Sequence, residues 1–164
     1  MKLDRNSTDA VLDAEALPKS SLAHIPAERA KQRTAVQRDV MSLLDELAPE
    51  VPPPKKSEEL PPTIRRHRSP GRCILQSDSR AVTVSWFPAQ PDSGMFGELV
   101  VTTWSGTVSL PGSARRANVA AKPIATLLLQ PMATSAGWIW KTADGKREFM
   151  IPALAARCRT MLEG

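Results

Sequence analysis

The sequence predicts an α+β fold: a small antiparallel sheet of five or six strands covered by one C-terminal helix, preceded by an amphipathic helix and a proline-rich linker. Three observations predict it. All four tryptophans and all three phenylalanines lie beyond residue 61, so the large side chains that a core needs are C-terminal. Short alternating runs in that part are joined by short turn signals, which favours antiparallel neighbours. Residues 152–162 then return to helical spacing behind Pro152.

Four regions follow along the chain. Residues 1–25 read as a flexible tail. Val11, Leu12 and Leu17 make a short helical pattern that Pro18 stops, and an isolated helix of that length is marginal in water. Residues 26–48 read as a helix. Pro26 suits its first turn, and Glu28 complements the positive end of the helix dipole. Val36, Val40, Leu43, Leu44 and Leu47 recur at helical spacing, widened by Met41. That face must dock on its own domain or on another chain. Residues 49–62 hold six prolines in 14 positions, which excludes a helix interior or a central strand and predicts an extended spacer. A helix held on such a spacer can reach a different surface, so the stripe is read as a partner-binding face.

Residues 63–164 read as the globular domain, entered through a basic collar of Arg65, Arg66, Arg68 and Arg72 with His67. The expected strands are 73–76, 81–86, 97–104, 107–110, 124–129, 138–140 and a return at 147–151, some of them continuous. In 81–86, Val82, Val84 and Trp86 share one face. In 97–104, Val100 and Trp104 share a face opposite Leu99 and Val101. Asp144-Gly145 is a hairpin turn signal between the last two strands. Leu154, Cys158, Met161 and Leu162 form the buried stripe of the closing helix. Trp138 and Trp140 leave one face of their strand, and at least one is expected under that helix.

The composition removes several classes of function. No apolar run approaches the roughly 18 residues of a membrane span. The N-terminus has no apolar signal-like core, and a cytoplasmic location is expected. Two cysteines and two histidines are too few for a metal site, and no cofactor is expected. No phosphate-cradling, dinucleotide-binding or nucleophile-elbow motif occurs, so the chain reads as non-catalytic. The leading expectation is an adaptor or accessory subunit whose helix docks on another protein. The alternative is a nucleic-acid-binding module. Residues 61–164 hold 13 Lys and Arg against 6 Asp and Glu. Arg65, Arg66, Arg68, Arg72, Arg115, Arg116, Lys122, Lys141, Lys146 and Arg147 could contact phosphates if they converge, and exposed tryptophans could stack on bases.

Overall fold

The computed structural model describes residues 19–49, 64–109 and 121–163, with side chains from residue 25 onward. The expected tail, spacer and most of 107–122 therefore lie partly or wholly outside the described residues, Arg115 and Arg116 included. The chain divides into two units, Met1–Gln32 and Arg33–Gly164.

In the first unit the described residues belong to helix α1, Lys19–Leu47. The helix does not begin at Pro26, as the sequence suggests, but carries Pro26 inside it. His24 accordingly belongs to a helix and not to a tail. Proline removes one backbone donor, so the carbonyl four residues before it loses its helical partner. Residues 25–31 are all exposed, with Ile25 at 55%. No apolar stripe forms along residues 25–31.

The second unit starts inside α1 and contains one sheet and one further helix. The strands are β1 (Arg65–Ser69), β2 (Arg72–Gln76), β3 (Arg80–Pro88), β4 (Gly97–Ser105), β5 (Lys122–Thr134), β6 (Gly137–Thr142) and β7 (Glu148–Phe149). Helix α2, Ile151–Glu163, closes the chain. The strands lie in sequence order as a seven-stranded antiparallel meander. The α+β class and the C-terminal helix match the sequence reading, but there are seven strands and not five or six.

The additional strand is the basic collar itself. Ser69-Pro70-Gly71-Arg72 turns β1 into β2, with Ser69 opposite Arg72 and Gly71 at φ 68. Proline followed by a glycine with positive φ is the signature of a type II turn. Charge on β1 suits an edge strand, where it deters pairing with other chains. Residues 107–109, by contrast, are not strand. The Val108 N–H instead donates to Oε1 of the buried Gln76 at 3.1 Å.

One face of the sheet carries the core. Cys73 and Leu75, Val82, Val84 and Trp86, Leu99 and Val101, Leu129 and Trp140 form one cluster with Leu154, Ala155, Cys158 and Leu162 of α2. Val36, Val40, Leu43, Leu44 and Leu47 of α1 join the same cluster, each at most 1% exposed. Of the two docking surfaces that the sequence leaves open for this stripe, its own domain or another chain, it packs here on its own domain. A stripe of five apolar side chains gains about 1.5–3 kcal/mol per fully buried residue, and the sheet offers the nearest apolar surface. Glu46 of α1 meets Arg159 of α2 at 3.0 Å, so the two helices lie beside each other over that face.

Trp86 and Trp140 meet edge to face, 5.7 Å apart, at the centre. Trp140 is fully buried, and Trp138 packs at the margin against Phe96, 5.1 Å away. Trp140 is thus core material, and Trp138 is half-buried at the margin of the core. Gly97 makes room for Trp86. Its φ is 135, and a Cβ there would stand 2.5 Å from the indole ring. No larger residue fits this strand start.

Candidate functional site

Of the ten basic residues read for phosphate contact, Arg115 and Arg116 lie outside the described residues, and the other eight do not form one patch. Pairing places Arg66 opposite Leu75 and Arg68 opposite Cys73, on the core side of the sheet, whereas Arg65 opposes Gln76 on the other side. The collar is therefore split between two faces. Arg68 is spent internally. Its side chain is 6% exposed, and Nη2 lies 3.2 Å from Asp45 of α1 and 3.8 Å from the Met41 sulfur. Arg65 pairs with Asp78 at 3.5 Å and Lys141 with Glu148 at 3.0 Å. Lys141, Lys146 and Arg147 lie at the far end of the sheet from β1. Six strand spacings of about 4.8 Å put β1 and β7 about 29 Å apart along the sheet.

The partner-binding residues read from the sequence are also accounted for inside the domain. Val36, Val40, Leu43, Leu44 and Leu47 are core, and Met41 is half-buried beside Arg68. The five aliphatic residues of the stripe pack into one cluster with the chain's own sheet.

A different feature is left open. β5 has 13 residues and is longer than its neighbour β6, which has six. β4 pairs with β5 from Lys122 to Leu129, but β6 pairs only from Leu129 to Thr134. Along residues 122–127 the outer edge of β5 has no strand beside it among the described residues. The phase of its backbone follows from one bond. The Ala143 N–H donates to the Leu128 carbonyl at 3.0 Å, so Leu128 turns its polar groups toward the β6 side. Backbone direction alternates along a strand, so Thr126 points its N–H and C=O the same way, into the open edge.

The first half of this edge is blunted. Pro123 has no N–H, and the register shifts between Thr103 and Trp104, leaving Ile124 as the extra residue of a bulge. Lysine, proline and bulges are the usual protections of an edge strand. The second half is open. Ala125, Thr126, Leu127 and Leu128 line an open notch of about 380 Å³ with Thr142, Ala143, Asp144 and Arg147. The β6–β7 turn closes its end. Ile124 and Leu128 expose 54% and 40% of their surface beside it.

Lys122, Lys146 and Arg147 are exposed around this edge. Asp144 is the one carboxylate lining the notch, and the turn occupies it. Its Oδ1 accepts from the Thr142 hydroxyl at 2.6 Å and from the Lys146 N–H at 3.1 Å. These bonds, the Thr142 one foremost, hold its pKa below the ordinary value.

Nucleophilic chemistry finds little to work with. Burial pushes the thiols of Cys73 and Cys158 up to about 12, so both stay protonated at neutral pH. Among the described residues no three His, Cys, Asp or Glu side chains group as metal ligands. No helix of the described residues is long and apolar enough to cross a membrane.

The open edge was not among the residues that the sequence singled out. The strand at 124–129 was read, but not its extension past Pro131 to Thr134, because proline argues against a strand interior. A strand that overhangs its neighbour shows only in the pairing. Lys122-Pro123 at the strand start was the available signal, since that combination marks an edge. Comparisons with protein-family models, with curated proteins and with solved structures find no match to this chain.

Proposed function

We propose that this chain is a non-catalytic interaction subunit that binds an extended segment of another protein by strand addition at β5. The observation that carries the reading is the outward N–H and C=O of Thr126, which no strand pairs among the described residues, beside a pre-formed notch. Backbone groups on such an edge give affinity, and adjoining pockets give selectivity. The adaptor class is the one the sequence suggests, but the docking surface moves from the α1 stripe to the sheet edge. The protonated thiols support a binding role over covalent catalysis. The division of the basic collar between two faces, and the burial of Trp140, weigh against nucleic acid.

Amide hydrogen exchange tests the reading. A blocked seven-residue peptide alternating valine with threonine is added in excess to the intact chain. Strand addition slows exchange of the Thr126 N–H. Unchanged exchange at Thr126 under saturating peptide removes the proposal.

A further inference from the structure

We infer that the segment received by β5 is acidic: a short extended stretch of another protein that carries carboxylates at alternate positions. This inference rests on the strand-addition reading above and names its partner class.

The argument is charge and geometry. The notch spans four residues of β5, Ala125–Leu128, so the added strand is short. Lys122 stands at one end of the open edge, and Lys146 and Arg147 stand at the other, all exposed. No ion pair engages these three among the described residues, whereas Lys141, next along the chain, is neutralised by Glu148. The single carboxylate of the notch, Asp144, has its Oδ1 committed to Thr142 and to the backbone of Lys146. An extended chain places side chains on opposite sides in alternation. One set can meet the cations while the other covers Ile124 and Leu128.

The same charges argue against a second copy of this chain as the occupant. Two β5 edges paired about a two-fold axis would bring Lys122, Lys146 and Arg147 of each copy together. Pro123 and the bulge at Ile124 would further interrupt such a ladder. A nucleic acid strand lacks the alternating donors and acceptors that Thr126 presents.

The test uses three blocked seven-residue peptides, alternating valine with glutamate, with threonine or with lysine, titrated into the intact chain at low salt. We expect the glutamate peptide to bind about tenfold more tightly than the lysine peptide, the sum of three exposed charge contacts. The ratio should shrink as salt is raised. Thr126→Pro removes the outward-pointing donor and also the hydroxyl that meets Thr102 at 3.3 Å; it should abolish binding of all three peptides, while Thr126→Val, which loses the same hydroxyl and keeps the N–H, should still bind them. Lys122→Glu with Arg147→Glu leaves the backbone untouched and should invert the preference toward lysine.

If the glutamate and threonine peptides bind alike and Thr126→Pro abolishes both, strand addition stands and the acidic preference is wrong. If no peptide binds, both fail. A dimer in sedimentation that Thr126→Pro converts to a monomer identifies the occupant as a second copy. Displacement of the glutamate peptide by a twelve-residue oligothymidylate, at lower concentration than by unlabelled peptide, makes the site a nucleic-acid one.

Discussion

At one edge of the sheet, β1 carries Arg68 against a helix; toward the other end, the start of β5 and the β6–β7 turn carry Lys122, Lys146 and Arg147 toward solvent. Arg68 is 6% exposed and bonded to Asp45 and Met41 of α1. Arg147 is exposed and lines an open notch. In sequence the two stretches look alike, each a run of Arg and Lys near a turn. The difference comes from what lies over each strand. α1 supplies apolar side chains and a carboxylate above β1 and β2, so Arg68 is drawn into the packing. No helix residue joins the notch beside β5, and the charges there stay in water. Charge under a helix is drawn into the packing of the fold, and charge beyond the helices stays in water.

The largest effect should come from breaking the closed end. Val40→Asp with Leu44→Asp forces two charges into positions that are 0% exposed. Each costs several kcal/mol without a partner, against a total stability of about 5–15 kcal/mol for a domain of this size. Circular dichroism should show the whole second unit unfolded, strands included. A folded sheet with a released helix would instead mean that α1 is a detachable clip, the role that its stripe suggests in the sequence.

A smaller, asymmetric effect should come from the Arg68–Asp45 pair. The Asp45 side chain is 56% exposed, so losing Arg68 returns it to water at little cost. Arg68 cannot do the same, because Nε and Nη1 are buried and have no partner among the described residues. Asp45→Asn should therefore destabilise by about 1–3 kcal/mol in denaturant melts. Arg68→Met, which keeps the volume and removes the orphaned donors, should cost less. The reverse order would place the stability in the arginine's packing and not in the pairing.

Much of the closed end was legible in the sequence, and the open end was not. The Val36–Leu47 stripe, the Val82, Val84, Trp86 face and the α2 stripe follow from periodicity, which reports burial directly. What periodicity cannot report is the surface that does the burying. The proline spacer suggested a distant partner for α1, yet the chain's own sheet was the surface. β1 was missed because its Arg-His-Arg run has no apolar alternation, although Pro70-Gly71 is a turn signal. The β5 edge was missed for another reason. It is a property of two strand lengths and one register, and no single residue carries it.

The smallest predicted effect concerns Asp144, and it decides how much positive charge the open end keeps. Two bonds within the turn hold its carboxylate in the ionised form, one from the Thr142 hydroxyl and one from the Lys146 N–H. Both bonds favour the charged state, so the folded pKa lies below the ordinary 3.8. A carboxylate depressed in this way adds stability that is fully present above its unfolded pKa. That contribution is lost as the pH falls through the folded one. The Lys146 amide donates directly to Asp144 and reports this titration. Its nuclear magnetic resonance shift should titrate with a midpoint below 3.8. The threonine peptide, which has no carboxylate side chain to protonate in this range, should raise that midpoint only slightly, because Asp144 lines the notch but keeps its Oδ1 bonded inside its own turn. If the midpoint rises strongly on peptide binding, the added strand covers the Asp144 carboxylate. That carboxylate would then cancel part of the charge that Lys122, Lys146 and Arg147 offer, and the contrast between the two ends of the sheet would narrow.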